Sequence, residues 1–295
     1  MMKKLVLAAV LAVTALVVPG SAVREAPISL VKLDSVQGVD HSESVVWVLF
    51  LGSDARPGQD PLRSRADAIQ MVGVNLRTGD GTIIGIPRDS WVALPGGGRN
   101  RINSALYNGG PRAMGEAVAG LVGVRPDYVF TTSFWGFRAV VRAIGGITVY
   151  SRHAFDDPYM IGRVRQGKNR LTGFEALFFS RARYRLPRGD FDRSANQQES
   201  LRGILREVRA HQDDPGFMER GFLAVMRNVD TNASPVELYR LAQAATKVDP
   251  GRLRGCVIRG SFGNVNGASI VFPDVAQARR LGNDARNDGR LDHGC

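Results

Sequence analysis

Histidine and cysteine are scarce in this chain: His41, His153, His211 and His293 are the four histidines, Cys256 and Cys295 the two cysteines. The shortage excludes much common chemistry. No Gly-x-Ser-x-Gly elbow is present, so a serine-hydrolase triad has no parts to work with. No His-Glu-x-x-His occurs, and two cysteines are too few for a zinc site. Gly96-Gly97-Gly98 has the look of a phosphate-cradling loop, but no Lys-Ser/Thr follows, so a P-loop is absent. Pro95 to Gly98 reads instead as a hairpin tip, followed by Arg99 and Arg101. Internal repeats and low-complexity tracts are missing too.

Negative charge is in deficit. The formal net charge is +11, and the excess is almost all arginine. That favours an anionic partner: nucleic acid, an anionic membrane surface or a phosphorylated substrate. A chain of 295 residues suits one large domain, with or without a small appendage.

The N-terminus narrows the choice. Met1-Met2-Lys3-Lys4 is a short basic start, and Leu5 to Val18 has the length of a signal-peptide core. Pro19 to Ala22 supplies small residues for cleavage, yet the uncharged run through Val23 is long enough just to span a bilayer. A cleaved signal and an N-terminal anchor both remain open for residues 1–23. Either way the basic end stays inside and the rest is exported, which counts against nucleic acid. The chain is therefore expected at the outer face of the cytoplasmic membrane, or secreted. Two cysteines suit an exported protein with one disulfide; a Cys256–Cys295 bridge would tie the last residue back to the body.

Val45 to Leu51 is a short, continuously apolar run rich in β-formers, the mark of a strand buried on both faces. It runs into the loop Gly52 to Gly58. A second strand is expected over Ala68 to Asn75, led by Arg65-Ala66-Asp67. A third covers Thr82 to Ile86 and ends at Pro87-Arg88-Asp89. Arg77 to Gly81 joins these two as a hairpin turn. Helices are predicted over 103–108 and 111–122, the second closed by Gly123. A strand over 128–133, a helix over 134–144 and a strand over 147–150 give a β-α-β alternation. Further helices fall at 171–183, 194–211, 218–227 and 235–248, the last opened by the capping box Ser234-Pro235-Val236-Glu237. Short strands at 256–258 and 269–272 and a helix at 274–286 complete the chain. The expected class is α/β, a central mixed β-sheet covered by helices on both faces in three layers. Residues 24–44 read as a polar linker, 45–250 as the main domain and 251–295 as a small C-terminal appendage.

One stretch stands out. Arg181 to Arg193 carries five arginines and two aspartates and is broken by Pro187 and Gly189. Guanidinium is planar, permanently charged and able to grip two oxygens at once, so the cluster reads as a receptor for phosphate or carboxylate, or as a solvated basic surface. Asp54 and Asp67 each lie in a turn beside a buried strand. Two carboxylates at one locus near arginines suit a hard cation such as Mg²⁺; the alternative is that Asp54 caps a turn and Asp67 pairs with an arginine. With Arg88 and Asp190 these groups could hold a diphosphate and support phosphoryl transfer, which needs mainly positioning and charge stabilisation.

Leu-Phe-Leu-Gly-Ser-Asp-Ala-Arg (49–56), Arg-Ala-Asp-Ala (65–68), Gly-Ile-Pro-Arg-Asp (85–89), Arg-Ile-Asn-Ser-Ala (101–105), Leu-Thr-Gly-Phe-Glu-Ala-Leu (171–177) and the Arg181–Gln198 stretch follow one another in order. In this the chain resembles the LytR-CpsA-Psr family of bacterial cell-wall proteins over residues 45–210. The resemblance implies an exported, membrane-associated, Mg²⁺-dependent phosphotransferase. Such an enzyme moves a glycopolymer from a polyprenyl-pyrophosphate carrier to peptidoglycan. It also implies roles: Asp54 and Asp67 for the metal; Arg88, Arg181, Arg183 and Arg193 for the pyrophosphate; Arg65, Arg101, Asp190 and Gln197 lining the same pocket. Asp54 or Asp190 would take the proton of the attacking hydroxyl. The family often has a basic residue where Asn196 stands and commonly lysine where Arg101 stands. The rival readings are hydrolysis of the same lipid pyrophosphate and non-catalytic binding of a polyanion or lipid.

Overall fold

The computed structural model describes residues 28–33, 45–217 and 229–295. Residues 1–23, with the expected signal or anchor, and the helix expected at 218–227 lie outside the described residues. Among those described, no helix is long and apolar enough to cross a membrane.

The first strands are β1 (Ile28–Lys32), β2 (Val45–Ser53), β3 (Ala66–Asn75), β4 (Gly81–Gly85), β5 (Trp91–Ala93) and β6 (Arg99–Arg101). Helix α1 (Ser104–Val122), β7 (Tyr128–Ser133) and α2 (Phe134–Ala143) follow. Next come β8 (Ile147–Ser151), β9 (Phe155–Asp157), β10 (Met160–Val164) and β11 (Gly167–Leu171), then α3 (Gly173–Arg181) and α4 (Asp190–His211). The chain closes with β12 (Val229–Thr231), α5 (Pro235–Lys247), β13 (Leu253–Val257), β14 (Gly260–Val265), β15 (Ala268–Pro273) and α6 (Val275–Ala285).

Seven strands form one mixed sheet in the order β12-β1-β7-β2-β3-β4-β13. β2 is parallel to β7 and antiparallel to β3, β3 is antiparallel to β4, and β4 is parallel to β13. Hence β2, β4, β7 and β13 all point the same way. β2 is buried on both faces, as its unbroken apolar run requires. Val45, Trp47, Leu49 and Leu51 turn to one face, where they join Ile69, Met71, Met114, Val118 and Leu281 beneath α1 and α6. On the other face Val46 and Val48 meet Leu238 of α5, and Val72 and Ile83 meet Leu201 and Leu205 of α4. The result is the expected three layers. Each fully buried Leu, Ile or Met contributes roughly 1.5–3 kcal/mol. The two helices expected at 103–108 and 111–122 fuse as α1, with a break in helical geometry at Gly109 and Gly110 just before Pro111.

Two expectations are corrected. Residues 24–44 were expected as a linker, yet Ile28–Lys32 is a strand, antiparallel to β7 and parallel to β12. The five-residue segment is too short to announce itself; burial of Ile28 and Leu30 against neighbouring strands fixes it. Residues 251–295 were expected to form an appendage, yet β13 extends the central sheet from Leu253↔Gly81 to Val257↔Gly85. The strand expected at 256–258 starts earlier, at Leu253, because pairing with β4 carries it across Arg254 and Gly255, which interrupt the apolar run. At Gly255 the ends of the Gln198 and Arg202 side chains fill the space a Cβ would take.

Cys256 of β13 is bonded to Cys295 as expected. The bridge closes a segment of 39 residues that carries β14, β15 and α6. Restricting that loop in the unfolded chain stabilises by about 2–4 kcal/mol. Cys256→Ser/Cys295→Ser is expected to lose that much in urea unfolding. An unchanged midpoint would mean that the bridge constrains nothing.

Candidate active site

Candidate residues gather where β2, β4 and β7 end and β3 begins, the carboxyl-end position at which open α/β sheets place ligands. A β-bulge creates the acidic pair. Gly52 faces Ala68 and Ser53 faces Ala66, so Asp67 is an extra residue with no partner on β2. A bulge re-aims the side chain it carries. Asp54 lies opposite: its amide donates to the Arg65 carbonyl, and its Oδ1 accepts from the Arg65 amide, each at 3.0 Å. Arg88 follows β4 and donates to Asp67 Oδ1. Both conservative readings of the aspartates, turn cap and ion pair, are therefore present. Each uses one oxygen, and the second oxygen of each carboxylate accepts no hydrogen bond among the described residues.

Electrostatics mark the pair as incomplete. Burial pushes the Asp54 carboxyl above its ordinary value, and the charge of Asp67 pushes it further; the Arg65 amide and the Arg88 and Arg65 guanidiniums oppose the rise. Burial works against the charge on Arg88, but Asp67, Asp89 and Asp190 outweigh it and hold that guanidinium above its usual range. Two free, mutually repelling carboxylate oxygens are hard donors of the kind Mg²⁺ accepts, with phosphate and water completing its shell. Among the described residues no group of three or more His, Cys, Asp or Glu forms a metal cage, so the donor set fits only an ion shared with a substrate oxygen.

The arginine stretch divides into parts. Thr172 and Glu175 form a capping box that starts α3, and α3 ends at Arg181. The helix after it begins at Asp190 rather than at 194. Gly189, at φ 52°, makes the entry, and Asp192 in the first turn accepts from the Arg188 amide at 2.8 Å. Asp190, Asp192 and Arg193 thus stand on a helix, not in the turn. Arg193 is buried and paired with Asp190. Burial draws its guanidinium below the ordinary value, Asp190 opposes that, and Arg88 and Arg183 add to it; it stays charged at neutral pH. Arg181 lies 4.1 Å over the Phe134 ring, and Arg183 donates to the Tyr184 hydroxyl at 3.1 Å. Neither has a carboxylate partner among the described residues, so both guanidiniums are free for an anion. Arg185 is paired with Asp156 and Arg188 with Asp192, which takes both out of the count.

Close packing of α4 on the sheet makes this possible. A Cβ on Gly85 would meet Ser194 Oγ at 2.5 Å and Gln198 Nε2 at 2.8 Å, so glycine leaves room for the side chains of α4 to pack directly on β4. Gln197, expected in the pocket lining, is committed to the protein. Its amide donates to the Asp67 and Ser180 carbonyls at 3.4 and 3.1 Å and accepts from Gln70 at 3.1 Å. It braces the bulge. Arg65 is exposed and acts on Asp54 through its charge. Arg101 reaches Asp89 at 3.5 Å. Asp89 and Gln70 were not singled out from the sequence. Asp89 stood next to Arg88 in the same turn, and Gln70 was a lone amide inside an apolar strand, which is the signal a buried polar contact leaves.

The LytR_cpsA_psr family model matches residues 20–287. The chain belongs to that family. Among its relatives, the polyisoprenyl-teichoic acid–peptidoglycan teichoic acid transferase TagU of Bacillus licheniformis is 31% identical over 230 residues, covering 76% of this chain and 72% of that protein. TagU of Bacillus subtilis (strain 168) is 32% identical over 222 residues, covering 75% of this chain and 70% of that one. The crystal structure of B. subtilis TagV superposes with a TM-score of 0.66 at 26% identity, covering 82% and 97%. Both parts of the C-terminal segment, β13 and the β14–β15 hairpin, fall inside the matched range, so this LytR_cpsA_psr chain carries them as part of its family domain.

Proposed function

We propose that this protein transfers a glycopolymer from a polyprenyl-pyrophosphate carrier to a sugar hydroxyl of peptidoglycan, at the outer face of the cytoplasmic membrane. The observation that carries the reading is the charged cluster in which Arg88, Arg183 and Arg193 act on one another and on Asp54, Asp67 and Asp190; Arg181, over the Phe134 ring, is a further guanidinium with no carboxylate partner among the described residues. Family membership and the names of its relatives support the same chemistry. In the reaction the acceptor oxygen attacks the phosphorus that bears the glycan, and the bond from that phosphorus to polyprenyl phosphate breaks. Arg88 and Arg193, largely shielded from solvent, stabilise the negative charge that spreads over the phosphoryl oxygens. Arg181 and Arg183 grip the outer oxygens of the pyrophosphate.

Asp54 and Asp67 would hold Mg²⁺, which when bound neutralises phosphate charge. With Asp54 so engaged, Asp190 takes the hydroxyl proton. Purified protein given a lipid-pyrophosphate glycan, peptidoglycan and Mg²⁺ is expected to release polyprenyl phosphate and to load the peptidoglycan with glycan. Free glycan phosphate with unloaded peptidoglycan would mean that water is the acceptor. No release at all would leave a binding protein. Asp67→Asn is expected to raise the Mg²⁺ needed for half-maximal rate at least about tenfold, the lower bound seen even for outer-shell partners. An unchanged Mg²⁺ requirement would remove Asp67 from the metal.

A further inference from the structure

A cavity of about 280 Å³ opens beside the arginine cluster. Asp89, Arg183, Tyr184 and Asp190 line one side, and Phe262 and Val271 of the β14–β15 hairpin line the other. The hairpin is fixed to the catalytic turn. The Val271 amide donates to the Asp89 carbonyl at 2.9 Å, and Val271 also bridges Ser90. Phe262 leans edge-on to Phe191 of α4, ring centres 5.5 Å apart, while 62% of it remains exposed. The C-terminal segment therefore does more than extend the sheet: it presents an aromatic ring over a polar pocket at the site.

The lining selects its ligand. A lipid chain would strand Asp89 and Asp190 against hydrocarbon, at the cost of burying charge. A bare phosphate would gain nothing from Phe262 and Tyr184 and would meet two carboxylates. A pyranose ring suits both halves: its apolar C–H face stacks on an aromatic ring. Its hydroxyls donate to carboxylates and accept from guanidinium. The volume lies near the lower bound for ligand pockets, about 300 Å³, which is room for a single ring.

We propose that this cavity is the subsite for the acceptor sugar, a proposal that rests on the transferase reading above. Asp190 decides acceptor over donor, because only the attacking hydroxyl has a proton to lose. The step balances: the acceptor O–P bond forms, the P–O bond to polyprenyl phosphate breaks, the hydroxyl proton passes to Asp190, and polyprenyl phosphate leaves with the bonding pair.

The test is Phe262→Ala in the full chain, read in two ways. Binding of a soluble peptidoglycan disaccharide-peptide is followed by NMR without donor, so the result does not depend on turnover. The Kd is expected to rise about tenfold, the equivalent of about 1.4 kcal/mol, and Phe262→Tyr to restore it. In the coupled assay the acceptor KM is expected to rise alike while the donor KM moves less than twofold. Fragment binding equal to wild type, or a rise in donor KM instead, would overturn the proposal. Failure of the transferase reading looks different: wild-type protein would bind the fragment and release no polyprenyl phosphate.

Discussion

Replacing Arg88 with alanine is expected to cut kcat for polyprenyl phosphate release by about 10²–10³-fold, the cost of removing one preorganised donor from an anionic transition state. The guanidinium is only 20% exposed and sits among Asp67, Asp89 and Asp190, which hold it in its charged form. Without it the incoming pyrophosphate meets those carboxylates unshielded. Arg88→Lys keeps the charge but loses the two-pronged grip, so it is expected to fall between alanine and wild type. Single-turnover measurement separates the effect on chemistry from substrate binding. Wild-type turnover by a folded Arg88→Ala protein would remove Arg88 from the catalytic machinery.

Arg193→Ala is expected to act on stability first. Arg193 and Asp190 are both buried and paired, and removing one member of a buried pair typically costs about 3–5 kcal/mol, because the other charge is left without a partner. Arg88 also acts on Asp190, which places the expected loss toward the lower end of that range. The double variant Asp190→Ala/Arg193→Ala is expected to be more stable than Arg193→Ala alone, since it leaves no orphaned carboxylate. Urea unfolding of the three proteins measures this coupling. A loss below about 1 kcal/mol for Arg193→Ala would show that water, not protein, solvates Asp190. Neither variant is expected to be active, so stability and rate must be read separately.

The residues that bear charge were legible because their types are unusual for their places. Aspartate beside a buried strand and arginine on both sides of a Pro/Gly break have few structural uses, and Asp54, Asp67, Arg88, Arg183, Asp190 and Arg193 do converge. Gln197 was legible as a member of the site but not as the brace it is, since an amide donates and accepts equally well to ligand or protein. The start of α4 was placed four residues late. Asp190 and Asp192 look like turn residues in sequence, but acidic groups are also favoured in the first turn of a helix.

By itself the sequence determined the α/β class, the buried central strand, the helix that delivers Arg181 and the chemistry open to an arginine-rich, histidine-poor chain. Those follow from local periodicity and side-chain type, which a chain carries with it wherever it folds. Tertiary structure alone decided three things. A bulge between β2 and β3 aims Asp67 at Arg88, and one extra residue in a ladder leaves no trace in hydrophobic pattern. β1 and β13 join the central sheet, because short strands are fixed by the partners that cover them. The β14–β15 hairpin sets Phe262 against Phe191 and into the lining of the cavity that Asp190 also lines, a meeting of distant parts of the chain that only the closed fold can make.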